Sequence, residues 1–177
     1  MIDFEKLHYL KTGNERQKLA HQVLVEHQIF ELLEPFDPLL TGTIPIHIDM
    51  ASSDLDICCY YENQEEFASH LSHSFGKLTN FKLKEILIDG QPTIIANFLL
   101  ADFEIEIFGQ NIPSRQQNAF KHLLIEHQIL QQKGEKFRTA IINLKLEGYK
   151  TEPAFAKLLG LTGDPYVALL AYPIDLR

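Results

Sequence analysis

The sequence predicts an α+β fold: a mixed β-sheet core with flanking helices over residues 1–110, then a helical segment over 111–177. Three observations carry this. Apolar/polar alternation of period two is confined to the segments between Pro38 and Gly109. Helical periodicity with cap residues dominates before and after it. No linker, low-complexity run or true repeat divides the 177 residues, a length that one domain supports.

The elements follow in order. "TGNE" at Thr12–Glu15 has capping-box spacing and opens a helix running to about Leu33, where Pro35 stops it. A strand is expected at Pro38–Thr43 and a second at Asp54–Tyr61. "NQEEFASHLSHSFG" reads as a helix ended by Gly76, with Phe67, Leu71 and Phe75 on one face. "FKLKEILID" and "PTIIANFLL" flank Asp89-Gly90, a hairpin signal, and "FEIEIFG" alternates strictly as a further strand.

From Pro113 the pattern is helical. Ser114 and Gln117 have capping-box spacing for a helix to about Gln132, and "GEKFRTAIINLKLEG" forms another, ending near Gly148. "TEPAFAKLLG" and "GDPYVALLAY" each pair a cap residue with an early proline, which predicts two short helices. "VLVEHQIF" at 23–30 and "LLIEHQIL" at 123–130 are too short to be a repeat. They read as two similar amphipathic helices with Leu24 and Leu124 on apolar stripes. His27 and His127 then face solvent or a helix seam.

Composition narrows the function classes. With 45% hydrophobic and 23% charged residues the chain is an ordinary globular one, and no apolar run approaches the ~20 residues of a membrane span. The acidic, mixed N-terminal stretch has no signal-peptide pattern, so a cytoplasmic location is expected. A net charge of −8 without any Lys/Arg run argues against a nucleic-acid partner and for a small molecule or a protein. Cys58 and Cys59 are adjacent and so point to opposite faces of a strand; two reduced, buried thiols are expected.

The chemistry concentrates in "TGTIPIHIDMASSDLDI", residues 41–57. On a strand, Asp54, Asp56 and Cys58 share one face while Leu55, Ile57 and Cys59 share the other. Two carboxylates side by side are costly unless a cation lies between them. In "FEIEIFG", Glu104 and Glu106 form a second pair of the same kind. If the two strands are neighbours, three or four carboxylates converge, an oxygen-rich set suited to Mg²⁺ or Mn²⁺. Gly42 and Thr43 lie upstream; a glycine at a strand end lets an anion approach backbone N–H groups, and the hydroxyl adds a donor for a phosphate oxygen.

"LTGT" followed ten residues later by "DLDI" resembles the signature of the nucleotidyltransferase superfamily with the polymerase-β-like fold. Together with "FEIEIFGQNIP", "QQNAFKHLLIE" and "KTEPAFAKLLGLTGDPY", it resembles a bacterial family of unknown function within that superfamily. The resemblance implies a mechanism in which Asp54 and Asp56 bind two divalent ions and a third carboxylate holds the ion nearer an attacking hydroxyl. Glu106, nearer its strand's end, is preferred for that third acid, with Glu104 left open. Gly42 and Thr43 would cradle the β- and γ-phosphates of a nucleoside triphosphate, with Ser53, Arg115 and Lys121 as further nucleotide-binding candidates. The chain departs from the superfamily pattern in having Thr at 43 and Glu as the third acid. The implied activity is Mg²⁺-dependent transfer of a nucleoside monophosphate to a hydroxyl of a small molecule or protein. The alternative is an inactive nucleotidyltransferase-fold binding or regulatory protein, such as an antitoxin-like partner.

Overall fold

A computed structural model describes residues 2–88 and 90–173. Helices α1 (Glu15–Glu26) and α2 (Ile29–Leu33) precede strand β1 (Leu39–Thr41), which is followed by β2 (Leu55–Tyr60) and helix α3 (Gln64–Phe75). The hairpin of β3 (Thr79–Ile88) and β4 (Gln91–Leu100) leads into β5 (Phe103–Gln110). Helices α4 (Asn118–Lys133), α5 (Glu135–Leu146), α6 (Thr151–Leu159) and α7 (Pro165–Leu170) follow. The strands form one five-stranded sheet in the order β1-β2-β5-β4-β3. Only the β2–β5 pair is parallel among the described strands.

Strand alternation divides the apolar residues between two cores. Leu55, Ile57, Cys59, Ile105 and Ile107 face one side and pack with Val23 and Leu24 of α1, Ile29 and Leu33 of α2, and Phe67, Leu71 and Phe75 of α3. Leu39 and Cys58 face the other side, against Phe120 and Leu123 of α4, Ile141 of α5, Phe155 of α6 and Leu169 of α7. The two cysteines are free and buried, one in each core. At Gly109 a Cβ would lie 2.0 Å from Cε1 of Phe67, so this glycine lets α3 seat directly on β5.

Several local expectations shift. The first helix is capped by Asn14, whose side chain forms a reciprocal box with Gln17, two residues later than "TGNE" suggests. It breaks at Gln28, which takes a left-handed conformation (φ 52°) and redirects the chain so that Ile29 and Leu33 enter the core. Gly76 ends α3 in right-handed geometry, without a left-handed glycine cap. The box expected at Ser114 is not made: its Oγ donates to the carbonyl of Asp37 at 2.6 Å, and a three-residue 3₁₀ turn stands there instead. The segment after β1 is also a 3₁₀ turn, Ile44–Ile46. Leu24 is fully buried, whereas its counterpart Leu124 is 38% exposed, so the two look-alike helices bury different stripes. His127 lies in a seam, its ring 4.9 Å from that of Phe4. The β3–β4 hairpin closes with Ile88 opposite Gln91; Asp89 of the expected turn lies outside the described residues. No helix among the described residues is long and apolar enough to cross a membrane.

Candidate functional site

Sheet register assembles the site. β2 and β5 pair in parallel so that Asp56 sits beside Glu106; Thr41 of β1 flanks Asp56, and Asn97 of β4 flanks Glu106. All four therefore form one row across the sheet, on the face that carries Cys58 and looks toward the C-terminal helices. Asn97 Nδ2 donates to Oε2 of Glu106 at 3.0 Å. Glu104 stands two residues away, exposed, opposite Leu99. Asp54 is half-buried immediately before β2.

The turn after β1 packs tightly on this row. Gly42 has φ +75°, and a Cβ there would meet Oδ2 of Asp56 at 2.0 Å, so the position requires glycine both for its backbone and for space. Thr43 Oγ1 donates to Oγ of Ser53 at 3.2 Å, and Ser53 Oγ accepts the Met50 N–H at 2.9 Å, which closes the loop between β1 and β2 on itself. Helices on both faces fasten that loop. Gln17, fully buried, donates to the carbonyls of Ile44 and Pro45 at 2.8 and 3.1 Å, and Arg16 donates to that of Ser53 at 2.8 Å. From α5, Arg138 donates to Ile46 O and Lys145 Nζ to Ile48 O, the latter at 2.7 Å.

A cleft of about 210 Å³ opens between this row and the helices. Thr41, Gly42, Thr43, Asp56 and Glu106 line its sheet side; Ala119, His122, Leu123 and Glu126 of α4 with Thr151 and Glu152 of α6 line the helical side. Four carboxylates face the cleft, and none of its lining residues is Lys or Arg. Burial pushes the Asp56 carboxyl up to about 8, and the charges of Asp54 and Glu106 add to that push while Lys145 opposes it. Burial likewise holds Glu126 well above the usual carboxylate range, raises Glu152, and lowers His122 toward the neutral imidazole. A positive charge placed in the cleft would favour the ionised form of these carboxyls.

Five of the sequence-derived candidates, Ser53, Asp54, Glu104, Arg115 and Lys121, do not line the cleft. Arg115 is held at the surface by Glu5, through two contacts of 2.9 Å, and by Asp37 at 2.6 Å. Lys121 is exposed on α4. Conversely, Asn97, His122, Glu126 and Glu152 escape the sequence reading. A signal for two of them is present: His122 and Glu126 interrupt the buried stripe of Leu123, Ile129 and Leu130 on α4, and polar residues four apart on an apolar stripe share one helix face.

The five-stranded sheet and its helical layers form a nucleotidyltransferase-like fold, which known structures share. A Cid1 poly(U) polymerase structure with MgGTP bound superposes with TM-score 0.55 at 12% identity, over 78% of this chain and 46% of that one. The GLD-2/RNP-8 complex gives 0.55 at 14%, over 89% and 63%. A mutant Cid1 bound to MgATP gives 0.56 at 12%, over 92% and 53%. The chain thus spans less than two thirds of the length of these structures. It belongs to the family described as Domain of unknown function (DUF4269), whose model matches residues 22–172. No curated protein matches it. A poly(U) polymerase shares the fold, so the acidic total charge does not by itself exclude a nucleic-acid partner.

Proposed function

We propose that the cleft binds a nucleoside triphosphate with divalent cations, Mg²⁺ or Mn²⁺, and transfers the nucleoside monophosphate to an acceptor hydroxyl. The observation that carries this reading is the register of Asp56 beside Glu106 under the Gly42 turn. The donor set fits such ions: hard oxygen ligands, with an Asp56 carboxylate that its surroundings disfavour in the ionised form until a cation arrives. Asp54, Asp56 and Glu106 would hold them. When bound, divalent ions lower the pKa of an attacking hydroxyl and offset charge on phosphoryl oxygens.

The protein's own part is positioning. The hydrogen bond from Asn97 fixes the Glu106 carboxylate. The missing side chain at Gly42 makes room for the Asp56 carboxylate, and the turn with Thr43 lines the cleft beside it. Loop fastening by Gln17, Arg16, Arg138 and Lys145 sets this geometry before substrate arrives, so little ordering is left for the moment of binding.

Thermal unfolding with MgCl₂ and each nucleoside triphosphate tests the reading. A ligand at 100 times its Kd adds about 2.7 kcal/mol, a shift of several degrees. Wild type shifts and Asp54→Asn/Asp56→Asn does not. Absence of a shift with every triphosphate removes the reading. Pyrophosphate release with a panel of acceptors (small alcohols, peptides, short RNA) then identifies the acceptor class.

A further inference from the structure

The helical side of the cleft carries a second set of donors that the nucleotide chemistry leaves unused. His122 and Glu126 lie one turn apart on α4, and Glu152 is the second residue of α6. One ligand atom from each lies within 4.8 Å of the others. His122 is 6% and Glu126 3% exposed. His122 Nδ1 and Glu126 Oε1 are both buried without a hydrogen-bond partner. Buried polar groups without partners are costly, and native proteins retain few of them. The nearest buried cation, Lys145, donates to Ile48 O, and among the described residues it makes no ion pair with Glu126 or Glu152.

We propose that His122, Glu126 and Glu152 form a separate site for a first-row transition dication, Zn²⁺ in particular. Three protein ligands with a remaining coordination position open to a cleft is the arrangement of catalytic zinc sites. Metal–ligand bonds of ~2.0–2.2 Å place ligand atoms ~3–4 Å apart, so side-chain rotations of about 1 Å close the set. The imidazole distinguishes it from the oxygen-only row of Asp56 and Glu106. Mg²⁺ prefers oxygen ligands and gives up its water reluctantly, whereas imidazole with carboxylate suits Zn²⁺. The ion compensates the buried Glu126 and half-buried Glu152 carboxylates and presents an open position to whatever occupies the cleft beside Asp56.

The test is Zn²⁺ uptake by metal-stripped protein, measured by equilibrium dialysis with metal analysis. It is made in the Asp54→Asn/Asp56→Asn/Glu106→Gln background, so that the sheet carboxylates contribute nothing. The expected result is one Zn²⁺ per chain, retained in millimolar Mg²⁺. His122→Gln and Glu126→Gln each weaken it by more than the ~10–100-fold that loss of a supporting outer-shell contact costs. Circular dichroism establishes that each variant is folded; if either is not, Glu152→Gln, half-buried at a helix start, takes its place. Co²⁺ substituted at the site gives a visible spectrum without a thiolate charge-transfer band, which separates it from binding at Cys58. No uptake by folded protein, uptake unaffected by these variants, or a thiolate band overturns the proposal. Uptake is independent of the triphosphate-dependent shift, so failure of either leaves the other standing.

Discussion

Gly42 and Asp56 are in contact so close that a single added methyl group on the glycine would lie 2.0 Å from the carboxylate oxygen. The turn that reads as a phosphate cradle and the acid that reads as a metal ligand are therefore one packed unit.

Gly42→Ala is expected to destabilise the protein by about 2–3 kcal/mol. Roughly 1–2 kcal/mol of that comes from the left-handed backbone, and the rest from displacing Asp56. In an Asp56→Ala background most of the steric part disappears, since only the Cβ at 56, 3.3 Å away, remains. A double-mutant cycle by urea unfolding should yield a coupling of about 1 kcal/mol or more. Zero coupling would mean that the two residues do not share space in solution.

The raised Asp56 carboxyl predicts a pH dependence with a definite sign. A carboxylate whose folded pKa is about 8, against 3.8 as a model value, binds its proton more tightly folded than unfolded. Its contribution to stability is fully present below about 4, falls as pH rises, and is lost above about 8. Asp56→Asn lacks this penalty. In chelator-treated protein the variant should gain on wild type by about 1.4 kcal/mol per pH unit between pH 5 and 8, roughly 4 kcal/mol in all. Thermal melts across that range check it, and an unchanging difference between the two proteins would contradict it. Added Mg²⁺ should reverse the order at pH 8.5, because only wild type retains the ligand.

The two glutamates of β5 should separate cleanly. Glu106→Gln removes the donor beside Asp56 and is expected to abolish the thermal shift with Mg²⁺ and triphosphate, while Glu104→Gln, exposed opposite Leu99, keeps it. Arg115→Ala also keeps it, since that guanidinium is engaged by Glu5 and Asp37. Its exposed ion pairs make the cost of this substitution below about 1 kcal/mol, and smaller still in high salt. A triphosphate shift lost in Arg115→Ala would show that the arginine leaves its partners for the ligand.

Much of the sheet was legible because its signals are local. Alternation in "LDICCY" and "FEIEIFG" separates carboxylates from apolar residues whatever lies next to them, and the structure keeps both strands and both faces. The adjacent cysteines could be assigned to opposite cores from the pleat alone. Turns were less legible, because the winning interactions are distant in sequence. Ser114 satisfies Asp37 O rather than a cap, and the loop after β1 folds into a 3₁₀ turn whose carbonyls bond to side chains of α1 and α5.

Sequence alone determined the class of fold and the identity of the acidic and glycine residues on which the proposed chemistry rests, since pleat, periodicity and spacing are properties of neighbouring residues. Tertiary structure decided which of them meet. The parallel register of β2 and β5 set Glu106 rather than Glu104 beside Asp56. Ion pairs with Glu5 and Asp37 drew Arg115 away from the cleft. The packing of α4 and α6 over the sheet brought His122, Glu126 and Glu152 together from two helices. Each outcome depends on contacts between segments tens of residues apart, and only the folded chain brings those segments into contact.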